Sequence, residues 1–174
     1  MPRPFLHYPE NRFFLPLVLI IGIAFIGWFI FREFRAGRLP YKLVPALFTP
    51  AEQQFLAVLR SVLPSGVDCY GKVRLIDICS VENYLTGKQR QTAVNRVAQK
   101  HVDFLLVRSA DTKPLLAIEL DDKSHQAADR KKRDIFLNQL FADVKLPLIR
   151  IPVQRSYNAS TIREMVVASM PPAG

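Results

Sequence analysis

The chain has few of the residues that build zinc sites and disulfide frameworks. It contains two cysteines and three histidines among 174 residues. Nine residues separate Cys69 from Cys79, so there is no CxxC pair, and the histidines complete no zinc-ligand spacing. Both cysteines lie in apolar, strand-like sequence, which favours small buried thiols in a reducing compartment. Internal repeats and low-complexity tracts are also absent, so one ordinary domain with an appendage is expected.

Residues 13–31 contain no charged side chain. As a helix they would span about 28 Å, which is close to the thickness of a hydrocarbon core. Aromatic residues crowd both ends of this run, as they do at membrane interfaces. A cleaved signal peptide would have a shorter apolar core and a small-residue cleavage site, whereas this run leads into basic sequence at Arg32. We therefore predict a transmembrane helix over residues 13–31, with the lipid bilayer as its partner.

The charges that flank this helix predict its orientation. The C-terminal flank is the more basic of the two, and cytoplasmic flanks are enriched in Lys and Arg. The sequence therefore predicts a single-pass protein with its C-terminal domain in the cytoplasm. The flanking cations are Arg32, Arg35, Arg38 and Lys42 on the C-terminal side, against Arg3 and Arg12 on the N-terminal side.

The folded part is basic in its own right. The chain has a net charge of +9, and residues 39–174 carry 19 Lys and Arg against 13 Asp and Glu, or +6. A basic domain suggests polyanionic partners such as nucleic acid or anionic lipid, although a merely soluble surface explains the charge equally well. We divide the chain into a tail over 1–12, the membrane helix over 13–31, a basic juxtamembrane linker over 32–48 and an α/β domain over 49–170.

The pattern of apolar residues predicts the elements of that domain. Thr49, Pro50 and Glu52 form a helix start with a capping box. The strands predicted over 102–107 and 115–120 are apolar on both faces, so we expect a mixed sheet that helices cover on both sides. The other predicted elements are an extended segment over 66–81, a short helix within 86–100, a helix over 127–144, a strand over 146–151 and a helix over 161–168.

Acidic residues gather where two of these strands would meet. A simple antiparallel hairpin centred on Asp111 places Asp103 opposite Glu119, with Cβ atoms about 5 Å apart. Like charges at such a distance need a cation, a shared proton or strong solvation, and Asp121 joins the same face. Oxygen ligands of this kind suit magnesium or manganese. The alternative is that Asp121 and its neighbours only cap the helix that follows.

Other polar residues near these acids have two interpretations each. His125 is a candidate general base, or else a structural histidine. The basic run that follows it suits contacts to phosphates beside a scissile bond, or else local charge compensation. Asp77 is either a further site residue or a partner for Arg74. The candidate nucleic-acid contacts are Lys123, Arg130, Lys131, Arg133 and Arg150.

The fragments HVDFLLV, LLAIELDDKSH, RKKRD and LPLIRI, taken together, resemble the restriction-endonuclease-like superfamily with its PD-(D/E)xK motif. Over residues 41–160 the chain most resembles a bacterial domain-of-unknown-function family that is similar to very-short-patch-repair-like endonucleases. The resemblance implies a mixed sheet flanked by helices and Mg²⁺-dependent (or Mn²⁺-dependent) phosphodiester hydrolysis. Combined with the membrane helix, it implies a location at the bacterial inner membrane.

The resemblance also implies roles for particular residues. Asp103 matches the first metal-binding aspartate, Glu119 matches the second acidic position, and Leu120 would offer its backbone carbonyl to the metal. The chain departs from the motif at the lysine position, where it has Asp121. Lys123, His125 or Lys131 would then replace the lysine, and a histidine after the acidic strand is a feature of the patch-repair-like relatives.

Two functions follow as expectations. The first is a membrane-anchored, cytoplasm-facing nuclease-like protein in which Asp103, Glu119, Asp121 and His125 do the chemistry. The second is a non-catalytic module that binds nucleic acid or a protein partner at the membrane, which the missing lysine favours. A purely structural membrane protein is disfavoured, since one anchor forms no pore.

The orientation can be tested with a reporter fused after Gly174. Because the C-terminal flank is the more basic, we expect a reporter that works only in the cytoplasm to be active. A second fusion to a reporter that works only outside the cytoplasm serves as the control. Activity of this second fusion alone would contradict the predicted orientation.

Overall fold

The computed structural model describes residues 14–37, 39–121 and 127–172. The chain divides into two compact units, Met1–Pro45 and Ala46–Gly174. The first unit contains helix α1. The elements of the second unit are α2 (Pro50–Val62), β1 (Val67–Arg74), α3 (Leu75–Ile78), α4 (Gly87–Ala98), β2 (His101–Arg108), β3 (Pro114–Asp121), α5 (Ala127–Asp143), β4 (Leu148–Pro152) and α6 (Ala159–Ser169).

Helix α1 (Phe14–Ala36) is long and apolar enough to cross a membrane. Its segment Pro16–Arg35 has a mean hydropathy of 2.1, and no part of that segment is buried. The helix meets these criteria by its length and composition, as a signal sequence near an N-terminus also does. The helix continues five residues past the apolar run, and the Arg32 guanidinium lies 5.7 Å from the centre of the Trp28 ring.

Helix α2 begins with the predicted capping box. The Thr49 N–H donates to Glu52 Oε2 at 2.8 Å, and the Glu52 N–H donates to Thr49 Oγ1 at 3.3 Å. Pro50 occupies the first turn, where its missing N–H costs nothing. This start fixes the helix so that Phe55 and Leu59 point into the core, where both are fully buried.

The second unit is a mixed α/β fold with an open four-stranded sheet in the order β1-β2-β3-β4. Strands β1, β2 and β3 are antiparallel neighbours, while β4 runs parallel to β3 after the crossover through α5. The predicted hairpin register is confirmed, because Leu105 pairs with Ala117 on either side of a turn that contains Asp111. A bulge then shifts Val107 onto Pro114 in place of Leu115.

Helices cover both faces of the sheet, as the apolar strands predicted. On one face, α2 and α6 pack over a first hydrophobic cluster, which includes Phe104 and Ile118. On the other face, α3, α4 and α5 pack over a second hydrophobic cluster, which includes Leu105 and Ala117. Burial on both sides explains why these two strands lack the polar alternation of a half-exposed sheet.

The prediction of extended structure through residue 81 was wrong beyond Arg74, where β1 ends and α3 begins. The Leu75 N–H donates to the Lys100 carbonyl at 2.8 Å, which fastens the turn to the entry of β2. Leu75 is fully buried in the second cluster. The apolar residues that suggested a longer strand therefore reach the core from a helical turn.

Gly71 in β1 is required by close packing. A Cβ atom built on it would overlap the ring of Phe48, which stacks on Phe104 with ring centres 5.7 Å apart. The strand thus passes under an aromatic pair that leaves no room for a side chain.

We predict that Gly71→Ala destabilises the protein by about 1–3 kcal/mol, since the Phe48 ring must leave its stacked position. The free energy of unfolding can be followed by circular dichroism of the full chain in mild detergent. Phe48→Ala removes the obstructing ring, so Gly71→Ala should cost much less in that background. An equal cost in both backgrounds would contradict this explanation.

Candidate active site

Strands β2 and β3 separate at the acidic residues. The pairing of β2 with β3 ends at Phe104 and Ile118, one residue before Asp103. Strand β3 stays paired with β4 as far as Asp121. Past this point the Leu120 N–H donates to Asp103 Oδ2 at 2.8 Å, so a side-chain carboxylate takes the place of a main-chain acceptor. We call this separation the notch, and define it by Asp103 together with residues 119–121.

Glu119 is the most deeply buried acid of the notch, with 3% of its surface exposed. Its Oε2 accepts a hydrogen bond from Arg133 of α5 at 2.8 Å. Its Oε1 is buried and receives no hydrogen bond from any residue that the structure describes. Burial raises the pKa of Glu119 to about 7, with Asp103 and Asp121 adding to the rise and Arg133 and Arg150 opposing it.

Lys72 of β1 approaches the notch from the other side. Gly71 pairs with Phe104 and Val73 with Val102, so Lys72 lies opposite Asp103. Its ammonium group is 3.8 Å from Asp103 Oδ1 and donates a hydrogen bond to Glu52 Oε1. Neither Lys72 nor Glu52 was predicted from the sequence to be a site residue.

The backbone at Lys72 is left-handed, with a φ of 56°. This conformation costs a residue with a side chain about 1–2 kcal/mol. It also reverses the pleat: Gly71 lies against Phe48 of the first cluster, whereas Val73 packs on the second cluster. In a regular strand, residues two apart share a face. The strained residue is thus the one that carries the ammonium group to the notch.

Glu52 anchors Lys72 from α2. Burial acts to raise the pKa of Glu52, but hydrogen bonds from Lys72 and from the Thr49 N–H outweigh it, so the pKa lies below its usual value. Glu52 therefore stays ionised, with one oxygen in the helix cap and the other on Lys72. In the sequence, Glu52 could be recognised only as a member of the capping box. Its contact with Lys72 could not be predicted from that pattern.

Asp121, which the sequence resemblance aligned with a lysine, pairs with an arginine in the structure. Arg150 Nη1 of β4 lies 3.3 Å from Asp121 Oδ1 and 3.0 Å from Asp134 Oδ1 of α5. Arg150 Nη2 donates to Asn138 Oδ1 at 3.4 Å. The guanidinium predicted to contact nucleic acid is thus bound to side chains of the protein.

The remaining predicted site residues have varied positions. Lys131 is exposed on α5. Lys123, His125 and the side chain of Arg130 lie outside the described residues. Asp77 pairs with Arg74 at 2.8 Å on the exposed surface, which supports its structural interpretation.

Among the described residues, the notch lacks a full set of acidic metal ligands. Over residues 14–37, 39–121 and 127–172, no three His, Cys, Asp or Glu side chains form a group that could hold a metal ion. The buried Oε1 of Glu119 nevertheless lacks a donor, and the charge of Asp103 acts on the same carboxyl. The oxygen donors of these residues are of the kind that a hard cation such as Mg²⁺, which keeps several waters, would accept.

These features define a mixed α/β domain with buried acids where two central strands separate. The chain belongs to the family described as "Protein of unknown function (DUF2726)", whose model matches residues 44–170. The predicted membership of a domain-of-unknown-function family is therefore confirmed. A search of curated proteins found no match, and a search of solved structures found none.

The pKa of Glu119 predicts how stability depends on pH. Because the folded protein holds the Glu119 proton more tightly than the unfolded chain, this residue weakens the fold as pH rises from about 4.5 to about 7. Glu119→Gln should therefore raise the free energy of unfolding at pH 8, by on the order of 1–3 kcal/mol, and change it little at pH 5.

Thermal unfolding of the full chain at the two pH values measures this difference. Glu164→Gln, on the exposed face of α6, makes the same chemical change and should leave the pH dependence unaltered. If the wild type and Glu119→Gln lose stability in parallel between pH 5 and pH 8, the assigned pKa is wrong.

Proposed function

We propose that residues 46–174 form a restriction-endonuclease-like domain of the PD-(D/E)xK superfamily that hydrolyses phosphodiester bonds of nucleic acid. The observation that carries the proposal is the buried Oε1 of Glu119 beside Asp103, which receives no hydrogen bond from the residues that the structure describes. Burying a carboxylate oxygen without a partner costs about 1–3 kcal/mol or more, so such an oxygen points to a bound ligand. The order of helices and strands around the notch agrees with this assignment.

The residues of the notch would hold one Mg²⁺ or Mn²⁺ ion. Asp103, Glu119 and the backbone carbonyl of Leu120 are the proposed ligands, with Asp121 next to them on β3. When bound, the metal would supply Lewis acidity and a water of lowered pKa. His125 would serve as the general base that accepts a proton.

Lys72 would replace the lysine that is missing at position 121. Its ammonium group already lies 3.8 Å from Asp103 and is held by the ionised Glu52. A fixed positive charge at this place would stabilise the charge that develops on the phosphate oxygens. Arg133, whose side chain is half-exposed, would contact an adjoining phosphate. Four further residues stay predicted contacts to nucleic acid: Lys123, Arg130, Lys131 and Arg150.

Helix α1 would anchor this domain in the bacterial inner membrane, with the C-terminal unit in the cytoplasm. Its length and apolar composition support the anchor, and the more basic C-terminal flank supports the orientation. The substrate would then be nucleic acid at the inner surface of the membrane.

A second function has its own supporting observation. Each of the three acids of the notch already has a basic partner: Lys72 for Asp103, Arg133 for Glu119 and Arg150 for Asp121. A domain whose acids are neutralised internally could bind nucleic acid or a protein at the membrane without catalysis. Salt-dependent binding that Glu119→Ala leaves unchanged, with no cleavage, would favour this alternative.

The nuclease proposal predicts that the full chain in mild detergent cleaves DNA or RNA when Mg²⁺ is added. Glu119→Ala should reduce the rate at least about 100-fold, because it removes a metal ligand. Glu164→Ala on the exposed face of α6 should retain full activity. Gel analysis of plasmid, single-stranded DNA and RNA substrates provides the measurement. If the wild type and Glu119→Ala are equally inactive with every substrate, both with Mg²⁺ and with Mn²⁺, the proposed nuclease activity is refuted.

A further inference from the structure

Helix α4 and the two residues after it form a segment of the second unit whose charges are all positive. Residues 87–100 contain four cations and no acid. None of these cations forms an ion pair with an acid in the part of the chain that the structure describes. The segment also has four side-chain amides, which donate and accept hydrogen bonds without adding charge. The cations are Lys88, Arg90, Arg96 and Lys100, and the amides are Gln89, Gln91, Asn95 and Gln99.

Most of these polar residues lie on the exposed face of α4, whereas Arg90 lies on the side of Val97 and contacts the loop before the helix. At about 100° per residue, Lys88, Asn95 and Gln99 fall on one side, with Arg96 at its edge. Val97 lies on the opposite side and is buried in the second cluster. The exposed face is therefore a continuous strip of cations and amides.

An exposed aromatic residue stands at the start of this strip. Tyr84, in the loop before α4, has 79% of its surface exposed. Arg90 faces the loop, where its Nη1 donates to the carbonyls of Val81 and Glu82 at 3.3 Å. A cation of α4 thus holds the loop that carries the tyrosine.

The other end of the strip leads toward the notch. The guanidinium of Arg96 and the ammonium of Lys100 lie 5.0 Å and 5.3 Å from the centre of the Phe136 ring on α5. Phe136 is three residues after Arg133, so the two side chains are neighbours on the helix surface. Arg133 in turn binds Glu119. Positive charge therefore continues from α4 to the buried acids.

We propose that Tyr84, Lys88, Arg96 and Lys100, the α4 surface, bind single-stranded nucleic acid. The cations would contact successive phosphates, and Tyr84 would stack on a base. A base can stack on an exposed ring only when it is free of its own duplex, so the tyrosine favours a single strand over a duplex. The inference rests on the proposed function, since it assigns the substrate class of the same notch.

Binding is measured by fluorescence anisotropy with the full chain in neutral detergent and a labelled thymidine oligonucleotide. EDTA prevents cleavage during the measurement. Tyr84→Ala should weaken binding about tenfold, because stacking on one base is lost, whereas Tyr84→Phe should stay within about twofold. The wild type should bind a duplex of equal length more weakly.

A double charge reversal tests the cations. Lys88→Glu with Arg96→Glu should weaken binding by more than about tenfold and flatten its dependence on salt concentration. Arg60→Glu with Arg163→Glu is the matched control, since both arginines are exposed on the helices of the opposite face of the sheet. This control should change binding by less than about twofold.

Three results would overturn the inference. The first is equal binding by the wild type and Tyr84→Ala, and the second is binding of duplex as tight as that of the single strand. The third is a charge reversal that weakens binding to vesicles of anionic lipid but not to the oligonucleotide. Failure of the nuclease proposal looks different, because Glu119→Ala and wild type would then be equally inactive while the effects at Tyr84 and Lys88 persist.

Discussion

The hydrogen bond from the Leu120 N–H to Asp103 is the contact on which the rest of the site depends. Two central strands of a sheet cannot separate inside a domain without leaving main-chain groups unpaired, at a cost of about 1–3 kcal/mol for each buried group. The carboxylate of Asp103 meets that requirement by acting as the acceptor that β2 no longer offers. Strand β3 then continues along β4 alone, and Glu119 becomes the buried wall of the opening. The acid at position 103 is thus part of the sheet and part of the site.

Burial of these acids is tolerable because the surrounding elements supply cations. Lys72 comes from β1, Arg133 from α5 and Arg150 from β4, so the charge balance of the notch requires every one of these elements in place. Desolvation of a carboxylate costs several kcal/mol, and ion pairs offset only part of it. Among the residues that the structure describes, none donates a hydrogen bond to Glu119 Oε1, and burial raises the pKa of that side chain to about 7. The uncompensated oxygen separates this arrangement from an ordinary cluster of ion pairs.

Much of the fold could be predicted from local patterns. The capping box predicted the start of α2, and a hairpin centred on Asp111 predicted the register that pairs Leu105 with Ala117. Lys72 and Glu52 could not be predicted, since their contact joins residues 20 positions apart through a left-handed backbone that tertiary packing imposes. The turn of α3 was missed for a similar reason, because a hydrogen bond to Lys100 holds it. Local periodicity does not report contacts between distant parts of the chain.

The ion pairs of the notch differ in how easily they break, and this difference bears on whether the domain catalyses a reaction or only binds. Lys72 is three-quarters buried and held by Glu52, so its charge is a fixed part of the site. Arg133 is half-exposed on a long side chain, whereas the Glu119 carboxylate that it contacts is almost fully enclosed. Arg133 can therefore leave for a phosphate at little desolvation cost, while Glu119 cannot leave at all. A cation that entered the notch would replace a half-exposed partner and would also provide a partner for Glu119 Oε1. The ion pairs within the notch favour a domain that binds without catalysis. The Arg133–Glu119 pair is the easiest of them to break, and Glu119 is the residue that the proposed hydrolysis needs most.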